Sequence, residues 1–395
     1  MNRFIPLSIP NFDGNEKEYV NDALEQGWVS TGGAYIEKLE KMLAKFLDTD
    51  EVAACQSGTA GIHLALMEAG VMPEDMVLVP ALTFIAAVNP VRYQFATPVF
   101  MDCDDSLCID PDKVRQFCEQ ECYVDGEVLV HNQSKKRVRA LIVVHVFGNL
   151  ADMEKLMEIA DTYHLKVIED ATEALGSYYT EGVFAGKYAG TIGHFGAFSF
   201  NGNKIITTGG GGAVTARDQS AVEHMRYIST QAKDDPHYYI HHEVGYNYRM
   251  TNLQAALGVA QMEELPAFIK RKHVNYNAYQ KEFKNFALAN LLEFRKGTYS
   301  NQWFYSLKIN RECAAVDRNK LIELLQAEGI QTRAVWGLIH QQIPYQKEMA
   351  YKIERAPYYA DCILNIPCST QLTEDEIVYV SCHIKEAMQS LNEQG

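Results

Sequence analysis

Two side chains in this sequence stand where carbonyl chemistry could be done. Lys204 lies in the run Ser199–Gly212, SFNGNKIITTGGGG, between a Ser/Asn cluster and four consecutive glycines. Glycine lets a backbone approach a ligand closely and adopt positive φ, at an entropic cost. A lysine beside such a loop becomes a nucleophile for aldehydes when its surroundings keep the amine partly neutral. The second side chain is Asp170, in Lys166–Ser177, KVIEDATEALGS, 34 residues before the lysine. A short apolar run ending in acids reads as a buried parallel strand whose carboxyl end reaches a ligand site. Taken singly, Lys204 reads as a solvated loop lysine and Asp170 as a helix N-cap.

Taken together, the pair suits pyridoxal phosphate. The lysine would hold the aldehyde covalently, and the acid would keep the pyridine nitrogen protonated so that the ring accepts electrons. Other positions extend the set. Ser57-Gly58-Thr59 opens the helical stretch SGTAGIHLALMEAG, and a helix N-terminus offers free N–H groups and a dipole to a phosphate. Simple N-capping accounts for the same triplet. Phe84, in PALTFIAA just past the Val77–Val79 strand, is placed either to stack on an aromatic ring or to fill core. Ser199 could add a hydroxyl to a phosphate.

These residues need strand ends to position them, and the chain supplies the rhythm. Between about residues 50 and 230, the apolar runs Met76–Val79, Pro98–Met101, Ala140–Phe147, Lys166–Ile168 and Phe195–Phe200 alternate with helical segments such as Ala151–Tyr163. This is the pattern of a mostly parallel sheet covered by helices. Glu121–Arg139 breaks it and reads as an inserted hairpin turning at the polar stretch Asn132–Lys136. From Asn252 the periodicity is helical to about Phe286. A strand at Trp303–Asn310, a helix near Arg318–Glu328, a strand near Gln331–Trp336 and a last helix from about Thr373 to Leu391 follow. The expected division is a large domain over 31–262, a small α/β domain over 263–395, and residues 1–30 packing with the small domain.

Composition narrows the partners. A formal charge of −15 argues against nucleic acid, so any phosphate must be held by local donors. No apolar run approaches the roughly 20 residues of a membrane span, which leaves the cytoplasm as the expected location. Nine scattered cysteines suit reduced thiols. Cys118 and Cys122 lack a CxxC or paired-His companion, so no metal site is expected.

Several motifs occur in a telling order: SGTAGIHLAL, PALTF, VIEDATEALGS, SFNGNK and GYNYRMTNLQAALGVAQ (Gly245–Gln261). In this the chain resembles the DegT/StrS-type sugar-nucleotide aminotransferases, pyridoxal phosphate enzymes of fold type I. The resemblance implies an α/β fold, with a large domain built on a mostly parallel seven-stranded sheet and a smaller C-terminal α/β domain. It implies that Lys204 carries the cofactor covalently and shuttles the proton, with Asp170 on the ring nitrogen. Gly58, Thr59 and Ser199 would hold the phosphate, Phe84 would stack on the ring, and Glu173 would lie beside the cofactor. Asn247 would reach the phosphate from a neighbouring subunit, implying a homodimer with shared sites; by pattern alone it is a turn residue. Trp28, Ser30, Tyr246, Arg249, Arg333 and His340 fall in segments that handle the nucleotide sugar, although surface pairing is the commoner role for arginine and packing for tryptophan.

Two positions depart from the family pattern. Glu173 stands where many relatives carry Gln or His, and Gly210 where an acid is frequent. With NGNKIITT and the inserted hairpin, these features resemble the branch that makes 4-amino sugars for bacillosamine and legionaminic acid. The implied reaction moves an amino group from L-glutamate to a 4-keto-6-deoxy sugar nucleotide linked to UDP or GDP, with a 3-keto acceptor as the alternative. A related dehydratase would have histidine at position 204. A non-catalytic regulatory or binding protein of the same fold would carry a DNA-binding module or a damaged site, and neither is found in the sequence.

Overall fold

Every residue of Met76–Pro80 is buried, as is most of Arg137–Val144, and such runs have no solvent face to present. In the computed structural model, which describes residues 4–235 and 237–394, they form the centre of a large sheet. Its strand order is Ala53–Cys55, Gly212–Ala216, Phe195–Ser199, Lys166–Asp170, Arg137–Val144, Met76–Pro80, Thr97–Met101, Ala350–Tyr351. The neighbours from Phe195–Ser199 to Ala350–Tyr351 are all parallel. Gly212–Ala216 runs against both of its neighbours. The seven strands between residues 53 and 216 on this path are the expected mostly parallel sheet.

The sheet as a whole has ten strands. One addition is Ala350–Tyr351; the other two form the inserted hairpin, Cys122–Asp125 and Val128–His131, attached through Arg137–Val144. The chain reverses at the expected polar stretch Asn132–Lys136, since Val128–His131 runs antiparallel to Arg137–Val144 and the His131 amide donates to Lys136 O. It also reverses earlier, at Gly126-Glu127, where Gly126 at φ +61 supplies the positive φ that a two-residue turn needs.

A second sheet, antiparallel throughout, orders Ala289–Leu291, Tyr305–Ile309, Ile363–Ile366 and Arg333–Ala334. The strand expected over Gln331–Trp336 is confined to two residues. The 32-residue helix Asn252–Phe283 starts at a capping box formed by Thr251 and Gln254. Helices Glu16–Glu25 and Ala34–Leu47 pack on it. Residues near the start of the chain also reach the second sheet, since the Leu7 amide donates to Gln331 Oε1 and the Cys368 amide to Leu7 O. Among the described residues no helix is long and apolar enough to cross a membrane.

Parallel strands bring their carboxyl ends to one edge, and there the loops after Pro80, Val144, Asp170 and Ser199 meet. One close approach fixes the floor. The turn Tyr188–Gly193 lies directly over Gly196, whose missing side chain would collide with Gly190 O and Thr215 Oγ1. Replacement Gly196→Ala is therefore expected to destabilise the cofactor-free protein by about 2 kcal/mol or more, as overpacking does. Urea denaturation checks this, and an unchanged midpoint would contradict the packing described.

Candidate active site

Strand alternation turns the two acids at the end of Lys166–Asp170 to opposite faces. Glu169 faces inward, where His145 Nε2 lies at 2.8 Å and the amides of Gly190 and Ile192 donate at 2.9 and 2.6 Å. Burial alone would push its carboxyl up, but His145 and the amides of Gly193 and Gly190 together bring it below its usual range. Glu169 is thus a structural anchor for the Tyr188–Gly193 turn. Asp170 takes the other face, only 4% exposed. Its Oδ1 accepts from the Thr172 amide at 3.0 Å. Burial raises its pKa above the ordinary carboxyl range, opposed by Thr172 and by the charge of Lys204.

Lys204 rides on a loop pinched at its base, where Phe200 O accepts from the Thr208 amide at 2.9 Å and the Phe200 amide donates to Gly211 O. Its Nζ lies 3.4 Å from Glu173 Oε1 and 4.2 Å from the centre of the Trp303 ring. Trp303 is itself held to the loop, its Nε1 donating to Asn203 O at 2.8 Å. Glu173 Oε2 accepts from the Phe147 amide at 2.8 Å. Burial is the main influence on the Glu173 carboxyl and raises it, with Lys204 pulling the other way.

A buried polar knot locks this arrangement. Asn301 Nδ2 donates to Glu173 O and Leu175 O, both at 3.0 Å, and the Asn301 amide donates to Ser177 Oγ. Gly148, at φ +87, passes so close to Asn301 Oδ1 that any side chain would strike it. Beside it Phe147 sits in the left-handed region at φ 57, a conformation costly for a bulky residue. That backbone aims its amide at Glu173.

The cleft so formed has a volume of about 680 Å³, and Gly58, Thr59, Phe84, Asp170, Glu173, Ser199, Lys204 and Arg333 line it. Phe84 stands 54% exposed, with a face free for a ring. Helix Gly58–Glu68 begins here, its cap Ser57 Oγ accepting from the Ala60 amide at 3.1 Å. The amides of Gly58 and Thr59 fall in the first turn, where helix geometry leaves donors without intrahelical partners. A side chain at Gly58 would come within 2.8 Å of Thr172 Cγ2 and 2.9 Å of Ser199 Cβ, so only glycine keeps this mouth open. A phosphate cradle, a buried acid and a reachable lysine in one cleft fit pyridoxal phosphate.

Other expected residues lie outside the cleft. Arg249 Nη1 pairs with Glu40 Oε1 and donates to Ala54 O, which ties the 245–250 segment to the sheet edge. Tyr246 stacks on Tyr248, 5.1 Å between ring centres. His340 packs beside Phe100, with its Nδ1 buried and without a hydrogen-bond partner. Trp28 and Ser30 offer their carbonyls to Asn252. Trp28 and Asn247 are exposed. Sequence reasoning passed over Thr172, Phe147, Trp303, Phe304 and Trp336, all of which line the cleft. The chain has only three tryptophans. Two of them in one cleft is a signal that composition could have offered.

The profile of the DegT/DnrJ/EryC1/StrS aminotransferase family matches residues 10–385. GDP-perosamine synthase of Escherichia coli O157:H7 is 34% identical over 387 residues, 97% of this chain and 98% of the relative. The spore coat polysaccharide biosynthesis protein SpsC of Bacillus subtilis is 30% identical over 392 residues, 95% of each. Among solved structures, S. venezuelae DesV in complex with a ketimine intermediate matches with a TM-score of 0.82 at 26% identity, covering 94% of each chain. Helicobacter pylori PseC, an aminotransferase involved in pseudoaminic acid biosynthesis, shares the fold with a TM-score of 0.87 at 21% identity, covering 98% of this chain and all of that one.

The raised Asp170 pKa carries a stability consequence. An acid whose folded pKa lies above its unfolded value favours the folded state at low pH, and that contribution is lost as pH rises through the folded pKa. At pH 8 the buried carboxylate therefore weakens the cofactor-free protein. Asp170→Asn keeps the acceptor for Thr172 and removes the charge. The variant is expected to resist urea better than the parent at pH 8, with the gap narrowing towards pH 5, while holding pyridoxal phosphate more weakly. Lower stability than the parent at both pH values would contradict the electrostatic account.

Proposed function

The chain belongs to the DegT/DnrJ/EryC1/StrS aminotransferase family and is a pyridoxal phosphate-dependent sugar aminotransferase, and we propose that it aminates C4 of a 4-keto-6-deoxy sugar nucleotide with L-glutamate as donor. The observation that carries the proposal is the Lys204 amine, 3.4 Å from a buried acid in a cleft that Asp170 also lines. The likeness to a GDP-perosamine synthase, whose product is a 4-amino sugar, supports C4 as the carbon aminated.

Bound in this cleft, pyridoxal phosphate supplies an aldehyde for covalent attachment and a ring that accepts electrons. The residues of the chain do the rest. The Gly58 and Thr59 amides and the Ser199 hydroxyl would hold the phosphate. Asp170 would pair with the ring nitrogen and keep it protonated, the cation offsetting the burial that otherwise raises the carboxyl's pKa. Phe84, exposed in the cleft, would cover a face of the ring. Lys204 Nζ takes a proton from one carbon and returns it to another, first as base and then as acid. Trp303 lies over the amine and keeps bulk water from it.

Arg333 is the cation of the cleft best placed for the acceptor's diphosphate, which a chain of net charge −15 must hold locally. Phe84 in the cleft, and Asn247 and Trp28 outside it, are exposed and free to meet a second copy of the chain, and a homodimer sharing its sites belongs to the proposal.

The test is incubation with L-glutamate and a panel of 3-keto and 4-keto sugar nucleotides on UDP and GDP, with products read by mass and NMR. Formation of 2-oxoglutarate with a new C4 amine is expected; amination only at C3, or of no sugar nucleotide, would contradict the assignment. With the accepted sugar, Arg333→Gln should raise KM about tenfold and leave kcat nearly unchanged, the pattern of lost uniform binding.

A further inference from the structure

Glu173 has a part that holding a cofactor does not explain. Its two oxygens are differently engaged. Oε2 is tied to the Phe147 amide at 2.8 Å, and Oε1 is left to Lys204 Nζ at 3.4 Å. The carboxyl side chain is 4% exposed and the lysine side chain 13%, so both stand largely apart from bulk water. An ammonium and a carboxylate in such a place can exchange one proton and become a neutral amine and a neutral acid, which removes two buried charges.

The groups around the carboxyl set the balance. Burial and Asp170 favour the neutral acid, Lys204 and the Phe147 amide favour the carboxylate, His145 acts on Asp170 from the strand behind, and Arg333 lines the cleft. These opposed influences leave Glu173 able to take and to release a proton. Glutamine at this position could still accept from the Phe147 amide through its one oxygen, but it could not also accept from Lys204 and could not carry a proton.

We propose that Glu173 is the proton acceptor and donor for the Lys204 amine. Oε1 takes one proton from the ammonium, and the freed lone pair of Nζ forms a C–N bond at the aldehyde carbon of the cofactor. The oxygen of that carbonyl takes a second proton from the nitrogen that has added to it, the C–O bond then breaks, and the proton held on Glu173 goes to the departing oxygen, which leaves as water. One proton is borrowed and one returned. The inference rests on the transaminase reading, since it concerns how the catalytic lysine is made nucleophilic.

The experiment uses the cofactor-free full chain mixed with pyridoxal phosphate. Capture is followed by stopped-flow absorbance, and the adduct is fixed with borohydride and located by peptide mass. Glu173→Gln and Glu173→Ala are expected to capture the cofactor about 10²–10⁴-fold more slowly, as loss of a positioned acid–base group does. Added formate should restore speed to Glu173→Ala and not to Glu173→Gln. Capture by Glu173→Gln at the parental rate, or a Glu173→Ala defect that formate leaves unchanged, would overturn the proposal. Absence of any adduct on Lys204 in the parent protein would instead remove the cofactor assignment beneath it, and the proposal with it.

Discussion

One amine and two acids buried in the same cleft set the terms for this structure. Asp170 ends a strand, Glu173 follows in the turn after it, and Lys204 comes from the loop after the neighbouring strand, so three titratable groups meet at one edge of the sheet. Each alone would be expensive to bury. Together they offset one another, and the remaining excess of negative charge is suited to a cationic ring nitrogen. The parallel sheet serves this by delivering strand ends to a common edge, with glycine at the places where loops and helix mouth must come closest.

The second sheet contributes the wall. Segment 300–304 carries Asn301, which pins the turn after Asp170, and Trp303, which lies over the amine. Trp303 is itself secured from behind by a fully buried lysine, since Lys272 Nζ donates to Trp303 O at 2.8 Å and to Cys368 O at 2.5 Å. Burial lowers the Lys272 pKa, opposed by its contacts with Cys368. A lysine committed to two main-chain carbonyls in the core indicates how strongly the position of the indole is specified. The catalytic amine is thus framed by both sheets.

Much of this was legible before any coordinates, because local rules applied. Ser57 caps its helix, the periodicity from Asn252 is a long helix, and the acid-terminated apolar run of Lys166–Asp170 is a buried parallel strand. Order among motifs supplied the family, as single residues could not. The illegible part was non-local. Nothing near Trp303 or Asn301 in sequence announces that they meet Lys204 and Glu173, since their partners lie about a hundred or more residues away. The polar turn at Asn132–Lys136 was legible, whereas the second, tighter turn at Gly126 was not, because one glycine in a short alternating run gives little signal. Arg249 looked like a phosphate ligand by type, and its acid partner Glu40, 209 residues distant, could not be read from spacing.

The central claim is that Lys204 is the residue that takes the cofactor. Its most direct measurement is borohydride reduction of the protein saturated with pyridoxal phosphate, followed by peptide mapping. The account predicts one phosphopyridoxyl group per chain, on the peptide that contains Lys204, and none in Lys204→Arg. A stable adduct on another lysine, or an unchanged adduct in Lys204→Arg, would contradict it.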